Sequence, residues 1–197
     1  LGRLTEVMTR EQAVDFAGAL DFGSFIAAAW PMLILAFVVF FYCLGALYDD
    51  RKDRSFLFWK SLPLSDAKTV GSKVASALVI APLIATAASF VTVLFFLSLL
   101  SVYAVYQGRN PFTLVWGPAS PLSVVLNLLG TLPVYAVWAL PTVGWLLMVS
   151  AWAKSKPFLW ATLIPVFTGI VVTWFDAMGL FGVRAEWFWA NVVGRIL

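Results

Sequence analysis

Apolar and polar positions fall along this chain in long blocks. Residues 24–47, 74–104, 122–152 and 158–175 contain no Asp, Glu, Lys or Arg. A hydrocarbon core is crossed by roughly 20 consecutive apolar residues, so each block predicts a transmembrane helix. The polar blocks are residues 1–23, 49–73, 105–121, 153–157 and 176–197. The pattern predicts an all-α integral membrane protein, a polytopic helical bundle with residues 1–197 as a single transmembrane domain.

Breaker residues refine this picture. Trp30 and Tyr48 flank the first block as interfacial aromatics, and Pro31 predicts a first turn or a bend. The second block, as a helix, is about 46 Å long and must tilt or project, with a kink at Pro82. Gly130, Pro133, Pro141 and Gly144 predict a bent or locally unwound third span that faces protein or a cavity. Pro165 lies inside the fourth. Gln107 to Pro111 and Gly117 to Pro121 carry turn chemistry, with Phe112 and Trp116 able to dip back to the membrane surface. Thr9 and Gln12 fit a capping box, so residues 1–23 read as a short interfacial helix or a solvated linker. Residues 176–197 mix Arg184, Glu186 and Arg195 with Phe181, Trp187, Phe188 and Trp189, which suits an interfacial or re-entrant segment better than a span.

Composition supports the membrane reading: 62% of residues are hydrophobic and 12% charged, against about 25% charged in soluble domains. The formal net charge is +3, but the cations sit beside apolar spans, which argues against a nucleic-acid partner. Eight Lys and Arg fall in segments 49–73 and 153–157, and five in the other polar segments. The positive-inside rule therefore puts the first two segments in the cytoplasm and both ends of the chain outside. The lone Cys43 and the absence of His exclude an intrachain disulfide, a Cys/His metal site and a Ser/His hydrolase.

The spans lack the ionisable groups that mark proton relays and ion paths, which disfavours a proton-coupled transporter. Their hydroxyls, such as Thr86, Ser89 and Thr92, are expected to bond to backbone carbonyls or to join helices. Asn127 and Thr131 are the candidates for lining a path, because an amide is not easily satisfied by its own helix. Gly71-Ser72-Lys73 lacks the remaining glycines and the Gly-Lys-Ser/Thr run of a phosphate loop, so no cofactor site is expected in this chain. Asp49, Asp50 and Asp53 could hold Mg²⁺ against a diphosphate, as in a membrane prenyl transferase. Only Asp66 is available on that side as a second acid, and interleaved Arg51, Lys52 and Arg54 suggest ion pairing instead.

Segment 49–73 also reads as an elbow. Asp49 and Asp50 continue the first span, and Asp53 or Ser55 caps a short helix carrying Phe56, Leu57, Phe58, Trp59 and Leu62. Pro63 ends that helix, and Ser65 or Asp66 caps the next. Such an elbow is either an interfacial anchor with a cationic rim or a docking helix for a cytosolic motor. For the chain as a whole, spans that leave no internal cavity would favour a non-transporting membrane anchor.

Asp50-Arg51-Lys52-Asp53-Arg54-Ser55, then Phe58-Trp59-Lys60-Ser61-Leu62-Pro63-Leu64-Ser65, then Lys73, resembles the segment after the second membrane helix in permease subunits of ABC-2-type ATP-binding-cassette transporters. In that family an acidic residue and Arg precede a small hydroxyl residue, a hydrophobic stretch, Leu-Pro with a following Ser, and a Lys opening the next helix. Asp50 stands where Glu is commoner, and Trp59-Lys60 is a variant of one bacterial subgroup.

The resemblance implies a six-helix permease of the bacterial cytoplasmic membrane, with the four spans here as its second to fifth. The first helix would precede Leu1 and the sixth would follow Leu197, accounting for the missing Met. Segment 176–197 would match the exterior re-entrant region. Residues 49–73 would hold the coupling helix, with Phe56, Phe58 and Trp59 packing into an ATPase cleft. Arg51, Arg54 and Lys60 would form the rim, and Asp50, Ser55 and Pro63 complete the motif. The implied partners are cytosolic ATP-binding-cassette ATPase subunits, which carry the ATP and Mg²⁺, and a second permease half, identical or not. The implied activity is ATP-driven transport, in the direction of export, by a chain that is not itself an enzyme.

Overall fold

A computed structural model describes residues 10–61, 65–179, 182 and 184–194. Every regular element among them is helical. In chain order these are α1 (Arg10–Ala46), α2 (Tyr48–Lys52), α3 (Ser55–Ser61), α4 (Asp66–Ala75), α5 (Ala81–Tyr106), α6 (Pro121–Trp152), α7 (Pro157–Ala177) and α8 (Ala185–Phe188). Three π-helical turns, Ser76–Ile80, Phe112–Trp116 and Trp189–Val193, complete the set. Four stretches are long and apolar enough to cross a bilayer: Ala17–Lys52, Asp66–Tyr106, Phe112–Trp152 and Pro157–Ala177.

Three elements differ from expectation. Among the described residues no separate interfacial helix precedes the first span; α1 runs unbroken from Arg10 and carries Pro31 inside it. Thr9 lies outside the described residues. Nothing from Arg10 to Trp30 breaks a helix, and in a membrane helix the bond lost at proline is tolerated. Before Pro82 the chain widens into a π turn at Ser76–Ile80, a second feature beside the proline that bends helices. Finally, α6 stays α-helical through Gly130, Pro133, Pro141 and Gly144, so of a bent or unwound span the unwinding is not found.

The chain divides into two compact units, residues 1–36 with 81–133, and residues 37–80 with 134–197. In the first, the buried α1 residues Leu20, Ser24, Ala28 and Leu35 recur every four or seven positions and so share one helix face. Ala28 packs in a core with Val93, Leu97 and Ala104 of α5 and Val115 of the π turn that follows it. Ser89 donates a hydrogen bond of 2.8 Å to the Ala28 carbonyl. Small residues at such a contact let the helix backbones approach closely. The Trp116 indole N–H donates to Ser101 Oγ at 2.9 Å, so the turn after α5 folds back on it and leaves Phe112 exposed.

In the second unit, Val39, Cys43 and Ala46 continue the buried face of α1. Cys43 is a free, buried thiol. The α7 backbone is met by Trp145, whose indole donates to the Ala161 carbonyl at 3.2 Å. After α7 the chain folds back along it. The Ala185 N–H donates to Asp176 Oδ2 (3.1 Å), and the Trp189 indole donates to Thr173 Oγ1 (2.9 Å). The Trp189 ring covers Gly169, where a Cβ would stand 2.8 Å from it. Only glycine leaves room for that ring.

Candidate functional site: the elbow and its clasp

The elbow begins where α1 is interrupted. In an unbroken helix the Tyr48 N–H would bond to the Leu44 carbonyl. The buried Ser150 of α6 takes that place: its hydroxyl donates to Leu44 O (2.7 Å) and accepts from Tyr48 N (3.0 Å) and Leu47 N (3.1 Å). One donor and two acceptor sites are thereby all used. A side chain inserted in the backbone ladder is a recognised cause of a helix break. Asp49 and Asp50 thus belong to a separate short helix, α2, instead of continuing the span.

Arg51 reinforces the same joint from the other side. Its guanidinium donates to the carbonyls of Ser150 (2.8 Å) and Ala153 (2.7 Å) at the end of α6. A cation on the last carbonyls of a helix satisfies orphan acceptors and complements the helix dipole. Asp50 pairs with Lys73 of α4 at 3.3 Å, with both side chains about a quarter exposed.

The turn from α2 to α3 is made by Arg54 in the left-handed region, φ 57°. A non-glycine residue there costs about 1–2 kcal/mol. Asp53 is the C-cap of α2, and the Ser55 hydroxyl donates to Asp50 O at 3.1 Å, tying the start of α3 to α2. Ser65 caps α4 as expected, accepting from Lys68 N at 3.4 Å. On α3, Leu57 and Phe58 are exposed. Phe56, Trp59 and Lys60 lie on the α3 backbone with side chains outside the described set, and Pro63 lies outside the described residues.

The elbow therefore gathers Asp50, Arg51, Arg54 and Ser55, together with the backbone of α3. Asn127 and Thr131 belong to the other unit. There Thr131 bonds back to Leu128 O at 2.8 Å, and Asn127 is exposed, its amide bonded to no described residue. Among the described residues no three His, Cys, Asp or Glu side chains come together as a metal site. Asp49 folds back over Gly45 while Asp50 turns to Lys73.

Sequence reasoning missed Ser150, which closes the joint. The available signal was a small hydroxyl residue just before the basic turn that ends the third span, level with the end of the first because both spans end on the same side of the membrane. Tyr42, Thr69, Ser72 and Ser76 were also missed; with Asp50, Lys68 and Lys73 they line a cleft of about 450 Å³. Comparison of the chain with protein-family models, with curated proteins and with solved structures found no match in any of the three.

Proposed function

We propose that this chain is a permease subunit of an ATP-driven transporter of the ABC-2 type, in which the elbow passes mechanical work from a cytosolic ATPase to the membrane helices. The observation that carries this reading is the contrast within the elbow. Its root is fixed to α1 and α6 by five hydrogen bonds through Ser150 and Arg51, while the next helix displays Leu57 and Phe58 to solvent beside Arg54. A lever needs a rigid root and an exposed handle. Apolar side chains rimmed by cations form the kind of patch that partner proteins cover.

Two further features agree with the proposal. The spans hold no charged residue in their apolar blocks, so an energy source outside the chain is required for active transport. The α6 span buries only 6% of its apolar window within the chain, which leaves a long surface for a second permease half. Under this reading the four spans are the second to fifth of six, in a bacterial cytoplasmic membrane with the elbow inside, and the direction is export. The prenyl transferase reading gains no support from the divergent directions of Asp49 and Asp50.

The test is to find whether a neighbouring reading frame encodes an ATP-binding-cassette ATPase, to co-purify that ATPase with this chain and to assay its ATP hydrolysis in proteoliposomes. Phe56→Ala with Trp59→Ala should remove the stimulation of hydrolysis by the permease while leaving the chain in the membrane. Unchanged stimulation would refute the lever. Labelling of Arg54→Cys by a membrane-impermeant thiol reagent added outside intact cells would refute the orientation.

A further inference from the structure

The cleft beside the elbow carries chemistry that a docking lever does not use. Its long wall is one face of α4 and the π turn after it, where Lys68, Thr69, Ser72, Lys73 and Ser76 line the space; Tyr42 of α1 and Asp50 of α2 complete it. Residues spaced i, i+4 and i+8 share a helix face, so this polar stripe is turned into the cleft. At about 450 Å³ it falls within the range of roughly 300–1,000 Å³ typical of small-molecule sites.

Two groups in it are uncommitted. The Lys68 ammonium makes no ion pair with any described residue, since the ion pair found there is Asp50 with Lys73. The Thr69 hydroxyl also differs from those of Thr86, Thr92, Thr162, Thr168 and Thr173. Each of these donates to the carbonyl one turn back, whereas the Thr69 hydroxyl bonds to no described residue. Lys73 keeps spare capacity beside Asp50, because an ammonium carries three donors. Two lysines against one carboxylate leave the cleft one positive charge in excess.

The cleft also lies at a defined depth. Lys73 is the last charged residue before the apolar run of 74–104, and Tyr42 stands seven residues before Asp49, the first charge after the first span. The charged end of the cleft is therefore at the level of lipid headgroups, and Tyr42 reaches roughly 10 Å below it. One turn beyond Ser76, Val79 and Ile80 are half exposed and offer apolar surface beside the opening.

We infer that this cleft binds the phosphodiester of an anionic membrane lipid headgroup, held by Lys68, Lys73 and the Thr69 hydroxyl, with the acyl chains lying along Val79 and Ile80. A single negative charge balances the surplus lysine, and basic pockets at the ends of membrane helices suit lipid headgroups. A soluble phosphate would match the polar wall alone. The apolar flank and the depth favour the lipid. This inference does not depend on the transport reading, because it needs only the membrane spans and the cleft.

Native mass spectrometry of the detergent-solubilised full chain, titrated with dioctanoylphosphatidylglycerol, tests it. One lipid per chain is expected to bind, with dioctanoylglycerol and inorganic phosphate each at least about tenfold weaker. Lys68→Gln should weaken the lipid about tenfold, Thr69→Val about threefold, and Lys154→Gln, outside the cleft, not at all. Lys68 is exposed and unpaired, so its replacement should leave thermal unfolding unchanged; if it does not, Thr69→Val decides. Equal binding of dioctanoylglycerol, undiminished binding by the Lys68 and Thr69 variants, or an equal loss in Lys154→Gln would overturn the site. Inorganic phosphate binding as tightly as the lipid would overturn the lipid as its occupant.

Discussion

The unit of residues 10–36 and 81–133 and the unit of residues 37–80 and 134–194 both bury apolar side chains, and differ in what polar contacts add to that packing. In the first, Ala28, Val93, Leu97, Ala104 and Val115 pack as an apolar core, and a single buried hydroxyl, Ser89, crosses from one helix to another. In the second, Ser150 and Arg51 bind the end of α6 to the break after α1, and Asp50 and Lys73 bind α2 to α4. Packing among lipid-like side chains spreads its stabilisation over many small contacts. Hydrogen bonds that insert into a backbone ladder are either made or broken. A joint of the second kind can switch between discrete arrangements, which a lever requires.

Four substitutions sharpen that contrast. Leu97→Ala, at a fully buried core position, should cost about 3 kcal/mol through the cavity it leaves, read as a lowered unfolding midpoint in detergent micelles. Ser150→Ala should cost about 2 kcal/mol, since the N–H groups of Leu47 and Tyr48 and the carbonyl of Leu44 lose their partner. It should also raise hydrogen exchange at residues 47 and 48 selectively; protection unchanged there would show that α1 simply heals into α2. Ser89→Ala should cost about 0.6 kcal/mol, the average for a hydrogen bond between membrane helices, without local opening. Asp50→Asn should cost under about 1 kcal/mol because the pair is partly exposed, and the difference from the parent should shrink as salt rises from about 0.1 to 1 M. If Ser89→Ala proved costlier than Ser150→Ala, the distinction between the two units would fail.

The elbow shows how far residue order alone reaches. Ser65 before Asp66 and Lys68 is a capping signal, and the cap forms. Arg51, by contrast, was expected on an outer rim, and its guanidinium lies against the carbonyls of Ser150 and Ala153. Nothing near Arg51 in the chain announces those acceptors, which lie about a hundred positions away. The cleft was equally invisible, because Tyr42, Asp50 and the α4 stripe come from three elements.

By itself the sequence determined the number and approximate extent of the apolar helices, since the length of a charge-free run is a local property that the thickness of a bilayer reads directly. It also determined the polar character of the elbow and the cap at Ser65. Only the tertiary structure decided where α1 breaks, which cation reaches the end of α6, and which hydroxyls face a common space. Those outcomes depend on an acceptor or a wall supplied by a distant helix, and a side chain's neighbours in space are not written in its neighbours along the chain.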